Sequence, residues 1–588
     1  MKNTFIFAAL FFVASASAVT LVQRSTGLSS IDWEEGHTEL ELGDVNADGH
    51  LDLLSVGDHG NPNVNSTEHG VICYLGDGLG NWTAQQFGNF GYGGLGLGDL
   101  NLDGHMDLAF GIHHDWASTG LGSKLMGVGL GNGSGAMWTP WDTGMPSAGE
   151  EWGMFATDLA DFNGDGLLDV VSQSFGGSNG IQIYRNLGDG NWEHAGSFAG
   201  GSVNYTLETG DFNADGYLDF VGTRSTGSVY LGDGNFGFSL NQTGITSGIY
   251  SVDVGDFDHD GRDDLLIDHG GAGVKAWRLS QTTETWEEFS TGLPSYNAEQ
   301  VQFGDLNGDG YLDVVAYAEP TGSCYINNGA SAWNLDASWT MPSPGDGNAL
   351  RVDGDVDHDG REDIAVLASM SGFPFYRNQL RVYSPWEEPI ALSTQVLKPN
   401  GGESFKQGSI RELRWATAMP SGQGQASVDI YLSTTGSVGP YLPIATALAD
   451  NGRYDWLVLA EVSEDCFLEI RSTGGGDTSI DRSDAAFSIL DGGATSLPDG
   501  IAKASFLNVY PNPLGRSTRF TWNAGASNST VLSIFELSGR LVEKIRLSPG
   551  VNHLQWATSR NLSSGIYMAE LRSGSMRVTR KLLILDPR

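Results

Sequence analysis

Aspartates recur in one arrangement along this chain. Nine residues read Asp, any, Asn or Asp, any, Asp, Gly, any, any, Asp. The first copy places Asp44, Asn46, Asp48 and Asp52 around Gly49. The same four places hold Asp99, Asn101, Asp103 and Asp107, then Asp161, Asn163, Asp165 and Asp169, then Asp211, Asn213, Asp215 and Asp219. They continue as Asp256, Asp258, Asp260 and Asp264, as Asp305, Asn307, Asp309 and Asp313, and as Asp355, Asp357, Asp359 and Asp363. Oxygens at places one, three, five and nine converge only if the segment turns back on itself, and Gly at place six permits that turn. The carbonyl at place seven can add an oxygen, and its side chain varies freely (His50, Leu167, Tyr217, Arg262). Hard oxygen donors without His or Cys select Ca²⁺ over zinc or copper. Two copies carry four Asp and five carry three, so 23 carboxylates stand ready for up to seven structural Ca²⁺ ions. Full occupancy would move the formal charge from −41 to −27.

An EF-hand needs Glu at place twelve and flanking helices. Place twelve is Ser55, Phe110, Ser172, Gly222, Ile267, Ala316 and Val366. Each loop is followed by an apolar run of strand length, such as Leu51 to Val56. Acidic turns without a metal are the other alternative; seven copies in register argue against it.

The elements that must position these loops recur with them. The copies start 55, 62, 50, 45, 49 and 50 residues apart. A strand precedes each loop, as at His37 to Gly43, and the apolar strand follows. A third strand ends in Tyr and a Gly-rich turn: Val71 to Gly78, Ile181 to Asn186, Ser228 to Gly234. A fourth opens on an aromatic: Trp82, Trp138, Trp192, Phe236 or Trp286. Four antiparallel strands per repeat and seven repeats describe a seven-bladed β-propeller in an all-β protein. Thr-Gly plus an apolar residue ends several fourth strands, at Thr143, Thr243 and Thr291, and recurs at Thr26-Gly27-Leu28. The seventh repeat lacks a Gly-Asp-Gly turn after Tyr376-Arg377-Asn378. Residues 19–24 are therefore expected to supply the outer strand of the last blade and close the ring.

The chain has 588 residues, enough for several domains. Hydrophobic residues are 40% of the chain, which supports sizeable cores. The 83 Gly show no collagen period. With 31 basic and 72 acidic residues, binding to nucleic acid or an anionic membrane is excluded. Cys73, Cys324 and Cys466 are scattered and odd in number, and read as buried small hydrophobes. Residues 1–18 read as a secretory signal: Lys2, the apolar run Phe5 to Val13, then Ala16-Ser17-Ala18. That run is short for a bilayer, and no transmembrane span is expected later.

The repeats over residues 19–388 resemble the FG-GAP and VCBS repeats of integrin α-subunit propellers and many secreted bacterial proteins. The resemblance implies that the Asp and Asn side chains named above bind Ca²⁺ in all seven loops. From Gln395 the texture changes. Short strands from Ile410 to Trp415, Ala426 to Leu432, Tyr454 to Leu459, Cys466 to Ser472 and Ala486 to Leu490 suggest a β-sandwich over residues 395–490, with Trp415 and Trp456 in its core. Its Pro399-Asn400-Gly401-Gly402-Glu403 opening is similar to Ig-like modules of secreted proteins. Residues 491–506 read as a linker. Then come Val509-Tyr510-Pro511-Asn512-Pro513, Ser538-Gly539-Arg540 and Ser564-Gly565-Ile566-Tyr567. Their order resembles the C-terminal sorting domain of the type IX secretion system over residues 507–588. It implies a small β-sandwich, a Bacteroidetes-type bacterium, and removal of this domain on passage across the outer membrane. The type IX machinery is then a partner.

No catalytic constellation stands out, and none is assigned. Gly176 to Gly180 fits Gly-x-Ser-x-Gly, but a nucleophile elbow needs a strand-to-helix turn, and this copy lies between strands. His113, His114, Asp115 and Trp116, and Glu150, Glu151 and Trp152, depart from the repeat, and such departures are where function is usually grafted. The expected function is a secreted or surface-displayed, monomeric binding or adhesion protein for glycans or extracellular proteins. The alternatives are a polysaccharide lyase or hydrolase on the propeller, and a passive surface scaffold.

Overall fold

The computed structural model describes residues 19–28, 30–31, 39–57, 70–88, 90–91, 93–112, 120–146, 154–174, 180–199, 206–223, 229–245, 248–327, 329, 332–343, 345–370 and 377–492. In the C-terminal segment it describes 507–510, 517–522, 530–536, 540–547, 553–557, 565–573 and 576–584. The expected signal, most of the linker, His113 to Trp116, Glu150 to Trp152 and residues 176–179 of the Gly-x-Ser-x-Gly match lie outside the described residues.

Blade one shows how sequence becomes sheet. Leu40–Gly43, Asp52–Val56, Val71–Gly76 and Trp82–Phe87 pair antiparallel in that order. The second strand is buried along its whole length, which is why it reads as an apolar run without alternation. Its side chains still divide by period two. Leu53 joins a core with Ala365 and Leu367 of blade seven, while Leu54 and Val56 join Leu108 and Phe110 of blade two. The outer strand, solvated on one side, buries Trp82 and exposes Thr83 and Ala84. Six sheets repeat this four-strand order, and the seventh completes the ring. The first strand of blade seven, Gly347–Arg351, lies against Leu40–Gly43 of blade one.

Closure uses the N-terminus. Leu21–Gln23 pairs antiparallel with Arg377–Pro385 and becomes the outer strand of blade seven. The third strand of that blade starts at Arg377, where the sequence pattern placed its end. The aromatic equivalent to Tyr74 and Tyr184 is Tyr383: it stands opposite Ile364 as Tyr74 stands opposite Leu53 and Tyr184 opposite Val170. A local Tyr-Arg-Asn match was outweighed by cross-strand register, which buries Leu380 and Val382.

The Thr-Gly signature is an inter-blade latch. Thr26, Thr143, Thr243 and Thr291 each accept, through the backbone carbonyl, the N–H of the Trp that opens the next outer strand, at 2.7–2.8 Å. These are Trp82, Trp192, Trp286 and Trp333. The following glycine is required twice over. Gly292 has φ +96°, and a Cβ there would lie 1.9 Å from the carbonyl oxygen of Trp333. Only a residue without a side chain meets both conditions.

Behind the ring, Ser393–Lys398, Ile410–Ala418 and Arg453–Leu457 form one sheet of a sandwich; a six-stranded sheet forms the other. Trp415 and Trp456 are in its core. Two further sheets form the C-terminal segment around Phe520, Ile534 and Trp556. All three cysteines are free and buried. Every named element is a strand, and no helix among the described residues is long and apolar enough to cross a membrane.

The sandwich sits on the face of the ring that carries the acidic loops. Ile410, Arg411, Arg414 and Arg453 approach the mouth of the central channel, whose wall includes Glu41, Asp158, Glu208, Asp253 and Arg351. A cavity of about 300 Å³ lies between the two bodies.

Candidate metal centres

Each acidic loop joins the first and second strands of its blade, so the ring presents all seven on one face. The local fold follows from the side chains. The place-one carboxylate accepts two backbone N–H groups from the turn: Asp48 at 3.1 Å and Gly49 at 2.9 Å on Asp44, and the same pair in every other loop. Place five accepts the N–H of place seven, as His50 on Asp48 at 2.9 Å. The glycines at place six all have positive φ, from +77° to +89°. Place four is left-handed as well, at Ala47, Leu102, Ala214, His259 and His358. Nothing in those residue types announces that conformation. It costs about 1–2 kcal/mol per residue, which the two Asp acceptors offset.

Place nine is the buried anchor. Asp52, Asp107, Asp169, Asp219, Asp264, Asp313 and Asp363 are all fully buried. Each accepts the N–H of place two, as Val45 on Asp52 at 3.0 Å. In five loops it also accepts an N–H from the end of the third strand: Gly76, Gly131, Asn186, Gly232 and Asn327.

The electrostatics ask for a cation. Burial pushes the Asp52 carboxyl up to about 7 and Asp107 to about 8, with the neighbouring loop aspartates adding to the rise. At place one, burial pushes Asp99, Asp161, Asp211 and Asp305 to about 7. Loops five and seven have no Asn, and their first three carboxylates bring oxygens within 4.8 Å of one another. Asp258 Oδ1, Asp264 Oδ1, Asp357 Oδ1 and Asp363 Oδ1 are buried without a hydrogen-bond partner. Buried oxygens of that kind are costly unless a cation takes them. This donor set fits a hard divalent ion, with places one, three, five and nine as the side chains that would hold it.

Sequence reasoning missed the acids at place eight and the sandwich residues that meet them. Place eight is Leu51, Met106, Leu168, Leu218 and Leu312 in five loops, but Asp263 and Glu362 in the other two. That departure was the available signal. Arg351, in the channel, was missed as well; it pairs with Glu41 at 3.0 Å, Asp353 at 2.9 Å and Glu208 at 3.5 Å.

This architecture, a blade ring with a metal-type loop on every blade, is matched by known families. The FG-GAP-like repeat matches residues 161–222, 211–267 and 305–366, which span loops three to seven. The secretion system C-terminal sorting domain matches residues 508–585. Integrin alpha-V of Gallus gallus is 30% identical over 207 residues, 28% of this chain and 20% of that protein, so the match spans a fifth of the relative's length. Among solved structures, an Agrocybe aegerita lectin that recognises non-reducing terminal N-acetylglucosamine is 18% identical with a TM-score of 0.37, over 56% of this chain and 91% of that one. The WD40 repeats of RRP9 are 10% identical with a TM-score of 0.38, over 62% of this chain and 99% of that one. Scores this low carry no argument about function. The chain carries FG-GAP-like repeats on a β-propeller and, at residues 508–585, a sorting domain of the type IX secretion kind. It is secreted or displayed on the surface of a Bacteroidetes-type bacterium.

Proposed function

We propose that the chain is a Ca²⁺-stabilised binding propeller, with up to seven structural ions held by the 28 loop residues named above, and with glycans or extracellular proteins as ligands. The observation that carries the metal reading is the set of buried loop oxygens without a partner, on Asp258, Asp264, Asp357 and Asp363. Extracellular Ca²⁺ modules often bind at roughly 10⁻⁴–10⁻³ M, which suits constant occupancy outside a cell. The ions stabilise by binding the native ring alone. The binding reading is supported by the integrin likeness, the export signal and the displayed ring. Domain limits at 19–388, 395–490 and 507–588 belong to the same proposal. The mature chain is taken to act without the sorting domain and as a monomer.

One observation favours an enzyme as the second reading. Glu299, Glu319 and Asp346 lie outside the acidic loops, yet bring carboxylate oxygens within 4.8 Å of one another. Gel affinity electrophoresis of the mature chain across a polysaccharide panel, in Ca²⁺ and in EDTA, separates the readings. Retardation lost in EDTA is the expected result. Shortened polymer in the same lane would make the protein an enzyme. A panel without retardation would turn the search to protein ligands or a passive scaffold.

A further inference from the structure

Loops five and seven differ from the others in three linked ways. They share Asp-x-Asp-His-Asp-Gly-Arg-acid-Asp, at Asp256–Asp264 and Asp355–Asp363. In the five other loops the place-three Asn donates from Nδ2 to the place-five carboxylate, as Asn46 to Asp48 at 2.9 Å. That amide gives one carboxylate oxygen of the cluster a hydrogen-bond partner without a metal. Loops five and seven have a carboxylate there instead. Asp258 and Asp357 are held from one side by Arg278 at 2.7 Å and Arg24 at 2.6 Å. Their other oxygens, and the Oδ1 atoms of fully buried Asp264 and Asp363, have no partner.

These are also the loops whose place-eight acids pair with cations of the sandwich. Lys398 pairs with Asp263 at 2.7 Å, and Arg414 pairs with Glu362 at 2.5 Å. Each of the two acids then accepts the backbone N–H that starts a neighbouring loop: Asp211 on Asp263 at 2.9 Å, Asp305 on Glu362 at 2.8 Å. Loop seven gathers further parts of the chain. Met419 of the sandwich donates its N–H to the His358 carbonyl at 2.8 Å. Glu387, on the connection to the sandwich, donates its N–H to Asp359 at 3.0 Å and pairs with Arg361. Arg24 follows the N-terminal strand that closes the ring.

We infer that loops five and seven form a separate, tighter class of Ca²⁺ site that acts as a clamp, holding the sandwich on the propeller and, in loop seven, holding the closing strand. The inference rests on the calcium reading proposed above. Four carboxylates per loop bind a divalent ion more tightly than three carboxylates and an amide, because ligand charge sets affinity in such loops. With the ion in place, the two acids at place eight are fixed to receive Lys398 and Arg414. An ion that prefers the docked arrangement must favour docking by the same factor. The five remaining loops are apolar at place eight; loops three and four touch the sandwich without such an ion pair, through the Ile410 N–H on Asp161 at 3.0 Å, Arg411 on the Gly216 carbonyl and Lys406 over the Tyr217 ring.

The test uses the full chain stripped of metal. Calorimetric titration with Ca²⁺ is run beside X-ray scattering, which reads the radius of gyration. The expected result is two sites tighter than the rest by about an order of magnitude or more. Compaction should be complete when those two have filled. Asp258→Asn with Asp357→Asn converts both loops to the pattern of the other five, so the fold is preserved. The tight class should disappear, and compaction should shift to saturating Ca²⁺. Asp263→Leu with Glu362→Leu keeps the ligands and should abolish compaction while leaving seven sites. One class of equivalent sites, or compaction unchanged in the Asn pair, overturns the inference while leaving calcium binding intact. No binding heat at all overturns the calcium reading itself.

Discussion

Replacing Asp52 by Asn should change the stability of the propeller in opposite directions with and without Ca²⁺. Asp52 is fully buried and accepts the N–H of Val45 and of Gly76, each at 3.0 Å. Burial pushes its carboxyl from 3.8 to about 7. The folded value is raised, so the penalty is absent below about pH 4, grows as pH rises, and is complete above about pH 7. There it amounts to roughly 4 kcal/mol. Asn removes the charge but turns one N–H donor toward another, at a loss of about 1–3 kcal/mol. In EDTA near pH 8 the variant should therefore gain about 1–3 kcal/mol, and near pH 5 the gain should shrink toward zero or reverse. In saturating Ca²⁺ the same change removes a ligand. Losing an ion present at a hundredfold over its Kd forfeits about 3 kcal/mol. For a ring of this size each kcal/mol moves Tm by about 1–2 °C. Melting followed by tryptophan fluorescence should show a rise of a few degrees in EDTA and, with that gain set against the lost ion, a net fall of up to about 4 °C in Ca²⁺. Equal destabilisation in both buffers would refute the assignment of Asp52 as a metal ligand.

The latch and the channel give further expectations. Gly292→Ala should weaken the ring by about 3 kcal/mol, through left-handed strain and collision with the Trp333 carbonyl. Gly120 has φ +84° and open space where a Cβ would stand. Gly120→Ala should therefore lose only the strain, about 1–2 kcal/mol, in a denaturant titration run on both variants. Equal losses would mean that the latch adds nothing. Arg351→Met should cost about 3–5 kcal/mol near pH 8, because it strands Glu41, Glu208 and Asp353 in the channel. Burial already pushes the Glu41 carboxyl up to about 8. The loss should shrink as pH falls toward 5 and Glu41 and Glu208, both raised by burial, take up protons; a pH-independent loss would count against the network.

The blades were legible because their signals are local. Place-one and place-nine aspartates bind backbone within the same loop and blade, so spacing alone marks them. Thr291-Gly292 and the aromatic at Trp333 recur with the repeat because every blade must hook the next. Where the local Tyr-Arg-Asn match and a register competed, the register put Arg377 and Asn378 at the start of the strand and Tyr383 opposite Ile364, since a strand shifted along its partner loses its buried face. The left-handed places at Ala47 and Leu102 were hidden, because those residue types adopt that conformation only when the acceptors around them hold it.

The sequence by itself therefore determined the period, the seven oxygen-rich loops, the seven blades and the export domain. Each depends on contacts between residues near in the chain or on a repeat that copies them. Only the tertiary structure decided that the sandwich lies on the loop-bearing face, that Lys398 and Arg414 choose Asp263 and Glu362, and that Arg351 stands among the channel acids. Those pairs join chain segments separated by 52 to 310 residues, as at Arg414 with Glu362 and Arg351 with Glu41. Charge pairing across such distances has no periodic signature, because any acid and any base of the surface could have met until the two bodies were packed.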